Sequence, residues 1–218
     1  MTDKLPTIAR FVTTHNAEGK AVFTDAVGEA AEKKPIDGGR VVFGLQYCSE
    51  EFPVDMNSNK DLDAYQRYEG EPPGLVISSG TVLRTVDMEA GHISPMHRTV
   101  SLDYGIVLEG EVELILDSGE KRAMKRGDVA IQRGTCHAWR NMSDAEPARM
   151  IYVLMPSKPL EVAGQKLKED LETMRGASRL HVRAKPTSRS RTNYETYPPT
   201  FACVMVSDCQ KAQRTQEM

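Results

Sequence analysis

The sequence predicts an all-β protein, an antiparallel barrel or sandwich, and three observations carry that prediction. Short strand-like runs recur between turn signals about every 8–12 residues through the middle of the chain. Val112, Leu114 and Leu116 alternate with Glu111, Glu113 and Ile115, close to a period of two. Gly110, Gly119, Gly127 and Gly134 punctuate the runs, two of them in the turn pairs Ser118-Gly119 and Gly127-Asp128.

The elements follow in order. Ile8 to Thr14 and Lys20 to Thr24 flank Asn16-Ala17-Glu18-Gly19, a hairpin signal, and Arg40 to Tyr47 is a further early strand. Residues 54–73 are polar and proline-bounded, which suits a surface loop or a short helix. Thr81 to Met88 is rich in β-branched residues and reads as a strand. Tyr104 to Leu108, the alternating run from Glu111, Lys121 to Lys125, Val129 to Ile131 and Ala148 to Met155 complete the strand set. Leu167, Leu171 and Met174 share one helical face, so Lys166 to Met174 is expected to close the fold as a short C-terminal helix.

A chain of 218 residues with 39% hydrophobic residues can build one packed domain with extensions. Residues 80–156 form the expected barrel core, with 1–79 as N-terminal strands and loop packed on it and 157–174 as a closing segment. Residues 175–218 carry eight Lys/Arg against three Asp/Glu, a balance of +5, whereas the rest carries 20 against 28, a balance of −8. With no sustained periodicity, that tail reads as basic and poorly ordered.

The net charge of −3 argues against a nucleic-acid binder, and no apolar run of about 18 residues offers a membrane span. The start of the chain lacks a signal-peptide core, and the four cysteines form no Cys-x-x-Cys pair. A reduced, cytoplasmic protein is the expectation.

Three of the five histidines sit in two glycine-framed segments, Gly91 to Gly110 and Gly127 to Asn141. These segments resemble the two motifs of the cupin superfamily. The first family motif runs glycine, two histidines, glutamate, glycine. Gly91, His97 and Gly110 match it, with Thr99 at the second histidine and Asp103 at the glutamate. In the second motif Gly127, Gly134, His137 and Asn141 match, with Arg133 near the expected proline. The resemblance covers about residues 80–155 and implies a double-stranded β-helix, or jelly roll. The wording is also similar to small fungal cupins of secondary-metabolite pathways, and the resemblance implies a homodimer, for which the N-terminal strands Ile8 to Phe23 and Arg40 to Tyr47 are the expected edge strands.

The chemistry can be stated from the residues themselves. On an extended strand His97, Thr99 and Asp103 share parity, and His137 lies in the second segment. Two imidazoles and a carboxylate converging inside a small barrel would make a site for Zn, Fe, Mn or Ni with open positions. His97, Asp103 and His137 are therefore the candidate catalytic residues and the candidate metal ligands. A metal-free cluster of the same three groups, acting by acid–base chemistry, is the competing reading. Thr99 and Trp139, on the same faces, are candidate substrate contacts. His92 is a substitute ligand outside the motif. Arg98 is expected in a surface salt bridge, Cys136 as a buried thiol, and His15 and His181 as bystanders.

The function expected is a small enzyme acting on a small or medium organic molecule, a lyase (dehydratase or decarboxylase) or an isomerase. An Fe(II)-dependent dioxygenase and a non-catalytic small-molecule binder are the alternatives.

Overall fold

The computed structural model of the chain describes residues 5–171. The proposed tail and His181 lie outside the described residues. Among the described residues thirteen strands and one α-helix follow in chain order: β1 Thr13–His15, β2 Ala21–Phe23, β3 Lys33–Ile36, β4 Val41–Cys48, α1 Lys60–Gly70, β5 Val82–Met88 and β6 Ser101–Glu109. Then come β7 Glu111–Leu116, β8 Lys121–Lys125, β9 Val129–Arg133, β10 His137–Asn141, β11 Ala148–Pro156, β12 Glu161–Val162 and β13 Gln165–Lys166.

Two antiparallel sheets make a jelly roll. The larger has the order β3-β4-β5-β11-β6-β9 and the smaller β10-β7-β8. Val112, Met124 and Trp139 of the smaller sheet join Val82, Met88, Val107, Met150, Tyr152 and Leu154 of the larger in one core. Gly110, at a φ of 78°, turns the chain from β6 into β7 and so from one sheet to the other.

The β1–β2 hairpin forms where expected. Asn16 Oδ1 accepts from the backbone N–H groups of Glu18 and Lys20, a local turn that its short side chain closes by itself. The 54–73 segment resolves to α1. Asp61 and Asp63 favour its N-terminal turn, and Leu62, Ala64 and Tyr65 are its buried face. Tyr65 stacks on Tyr47 of β4 with ring centroids 4.9 Å apart.

Two expectations need correcting. Lys166 to Leu171 is not helical. Gln165–Lys166 pairs with Glu161–Val162, the Leu167 N–H donates to the Leu160 carbonyl at 2.8 Å, and Asp170 exchanges backbone hydrogen bonds with Arg98 at 2.9 Å. A local hairpin and the bridge to Arg98 take up the backbone groups that the apolar spacing of Leu167 and Leu171 would place in a helix. Residues 172–174 of the expected helix lie outside the described residues. Second, Arg40 to Tyr47 was expected to offer an edge, but β4 is paired on both sides, to β3 and to β5. On that side the edge strand is β3, whose Pro35 disguises it in the sequence.

Candidate functional site

A cavity of about 100 Å³ opens between the sheets. Its walls come from all six strands of the larger sheet, from β10 of the smaller, and from the segment preceding β6. The lining is mostly apolar, with a few polar groups that converge on it.

His97 and His137 meet here because their backbones form an antiparallel bridge, each N–H donating to the other's carbonyl at 2.9 Å. Directly opposed residues present their side chains to the same face, and the ring centroids are 4.4 Å apart. Each imidazole is oriented the same way. His97 Nδ1 lies 2.9 Å from the Pro95 carbonyl and His137 Nδ1 lies 2.9 Å from the Thr135 carbonyl. A carbonyl only accepts, so the proton sits on Nδ1 and each Nε2 keeps its lone pair. Burial lowers the pKa of both rings. His137 is pushed down to about 4, first by burial and then by its neighbour His97. At neutral pH the pair is uncharged.

Asp103 lines the same cavity from β6. Thr99 Oγ1 donates to its Oδ2 at 3.2 Å, and Ser101 Oγ donates on to Thr99 Oγ1 at 2.8 Å. Oδ1 has no hydrogen-bond partner, and burial raises the carboxyl pKa to about 6 despite the hydroxyls. Thr99 and Trp139 also line the cavity. The Trp139 ring stands edge-on to His137 at 6.2 Å and to Tyr152 at 6.0 Å, so it is wall and core at once.

The expected three-residue metal set is not assembled. His97 and His137 offer two nitrogen donors side by side, but among the described residues no three His, Cys, Asp or Glu side chains gather closely enough to hold a metal ion. The reason is local: Asp103 is one methylene shorter than glutamate, and its carboxylate is held by the Thr99–Ser101 hydroxyl relay. His92 also lines the cavity, yet it does not complete a set. Its Nδ1 is 3.8 Å from Asp37 Oδ2, too long for a hydrogen bond, and burial lowers its pKa.

Of the other candidates, Arg98 faces Asp117 at 3.7 Å. Cys136 is partly buried with a raised pKa, the opposite of an activated thiol. His15 is exposed on β1, away from the cavity.

Among the lining residues that sequence reasoning missed, two carry unpartnered donors. Gln132 of β9 is buried directly across from Asp103, and its Nε2 donor has no partner. Arg84 of β5 is buried with Nε and Nη1 unpartnered, while Nη2 donates to the Gly74 carbonyl at 2.9 Å. Burial lowers its pKa to about 10, which leaves it charged at neutral pH. Gln132 shares parity with Ala130, and Arg84 with Val86 and Met88. That parity was the only signal in the sequence for either.

The cupin domain family matches residues 84–154. Phomopsin biosynthesis cluster protein D of Diaporthe leptostromiformis is 46% identical over 164 residues, 75% of this chain and 86% of that protein. Oryzines biosynthesis cluster protein J of Aspergillus oryzae is 43% identical over 166 residues, 76% of this chain and 92% of that protein. The cupin-domain-containing oxidoreductase virC of Hypocrea virens is 46% identical over 156 residues, 70% of this chain and 78% of that protein.

Proposed function

The chain belongs to the cupin superfamily, and from that premise we propose that it is an enzyme of a secondary-metabolite pathway that moves protons on a small organic molecule, as an isomerase or a lyase. The observation that carries the reading is the imidazole pair: two neutral rings with their Nε2 lone pairs free, 4.4 Å apart in a mostly apolar cavity. The relatives named for biosynthesis clusters support the pathway setting. No step is routed through a metal, because the donor set does not fit one.

The roles follow from the groups. One imidazole Nε2 takes a proton from carbon, and charge on either ring lowers the affinity of the other, so the pair accepts a single proton. Asp103, at about 6, is close enough to neutrality to return a proton to the substrate or to a leaving hydroxyl. Oxygen that gains negative charge is met by the free Nε2–H donors of Gln132. Trp139 and Tyr152 supply an apolar bed. The reading also takes the cytoplasm as the setting, supported by the unpaired Cys48 and Cys136, and a second copy of the chain as partner.

The test is metabolite profiling in a producing fungus carrying His97→Ala or His137→Ala alleles, followed by feeding the accumulated intermediate to purified wild-type protein. Loss of a general base is expected to cut turnover by about 10²- to 10⁴-fold. Intermediate and product should be isomers, or differ by water or carbon dioxide. A difference of two hydrogens or of oxygen atoms would overturn the reading in favour of redox chemistry, the second reading, which the names of several relatives favour. Binding without turnover would instead make the protein a non-catalytic module.

A further inference from the structure

We propose that the molecule bound in this cavity carries a carboxylate, and that Arg84 receives it. The inference deepens the proposed function by naming its substrate class, and it shares only the cavity with that reading.

Arg84 points from the central strand β5 to the cavity, on the same face as Val86 and Met88, which line it too. It is 4% exposed. Its guanidinium lies over the Phe43 ring at 4.8 Å, and Nη2 reaches the carbonyls of Pro73 and Gly74 at 3.4 and 2.9 Å. That leaves the Nε and Nη1 hydrogens with no acceptor, and no carboxylate among the described residues forms an ion pair with it.

The fold shows how it treats an arginine kept for structure. Arg149 is just as buried, at 3%, and its Nε and Nη2 donate to the two oxygens of Asp87 at 2.5 and 2.6 Å. Beside that closed pair, Arg84 is an open one. A buried charge without a counter-ion is costly, and an apolar side chain would fill the same space more favourably. The anion that completes Arg84 therefore comes from outside the chain.

A carboxylate fits better than a phosphate. The cavity offers one fixed positive charge and neutral imidazoles, so a dianion would be left half compensated. The rest of the ligand is apolar, matched by Phe43, Val86, Met88, Trp139 and Leu154. Because Arg84 stands on the larger sheet and His137 on the smaller, a carboxylate held at one wall presents the body of the molecule to the imidazoles at the other.

The experiment is calorimetric titration of phenylacetate and phenylpropionate against their primary amides, which have the same shape without the charge. Wild-type protein is expected to bind each acid about ten- to a hundredfold more tightly than its amide. Arg84→Met is expected to bind both alike, and Arg84→Lys to keep part of the preference. Equal binding of acid and amide by the wild type, or no binding of either acid at millimolar concentration, overturns the proposal. So does a folded Arg84→Met protein that still prefers the acid. The wild-type comparison stands even where Arg84→Met does not fold. A His97→Ala/His137→Ala double variant should retain the preference, so failure of the acid–base reading leaves this one intact. Loss of the preference there would assign the anion to the imidazoles and overturn it.

Discussion

At the scale of single residues, the site is defined by where protons already are. Backbone carbonyls two residues upstream fix both imidazole tautomers, and burial keeps both rings neutral. Asp103 moves the other way, up to about 6, because burial penalises its charged form more than the hydroxyls favour it. The two protonations act in opposite directions, the first arming the acid and the second disabling the base. Lowering pH from neutrality first protonates Asp103 near 6, and only near 4 does His137 gain a proton. On the identified substrate, kcat/KM should rise as pH falls through 6, where Asp103 gains the proton it donates, and fall near 4, and Asp103→Asn should remove the rise, leaving only the fall near 4. A pH profile of Asp103→Asn that still bends at 6 would show that the carboxylate takes no part.

Elements account for most of what could be read in advance. β5 to β9 and β11 were legible because β-branched runs between glycine turns have few other options. α1 stayed ambiguous since its burial depends on Tyr47 of β4. The expected C-terminal helix yielded to the short β12–β13 hairpin and to a bridge between Asp170 and Arg98, a partner that no local spacing records. The histidine pair was legible in its motifs, whereas the cross-strand neighbours that leave Arg84 and Gln132 unpartnered were not. Element junctions also set a sharp constraint. At Gly80, entering β5, a Cβ would lie 1.7 Å from the Ser49 carbonyl oxygen, an unyielding backbone atom. Gly80→Ala should destabilise the fold by about 3 kcal/mol or more, read from the urea midpoint. Gly70→Ala, where the added methyl meets nothing within 4 Å, should change stability little. Equal midpoints for the two variants would mean that the β4–β5 junction opens freely.

For the whole molecule, the two sheets explain why one cavity holds both kinds of polar group: each sheet delivers its own to the shared interior. The same topology leaves one of the two N-terminal elements expected to pair between copies. β4 is interior to its sheet and cannot serve, but the β1–β2 hairpin forms a two-stranded sheet of its own. Such a hairpin is marginal by itself. It also shows Phe11 and Phe23 to solvent, 67% and 74% exposed, with their rings edge-on at 6.3 Å. Each aromatic ring can bury roughly 150–250 Å² against a partner, so two copies meeting here would shelter four rings. Sedimentation at micromolar concentration should therefore give twice the chain mass, and Phe11→Ser/Phe23→Ser should give the monomer with an unchanged circular dichroism spectrum. A wild-type monomer would reject pairing. A dimer that survives the double substitution would move the interface elsewhere, to an edge such as β9, where Val129 and Ile131 are also exposed.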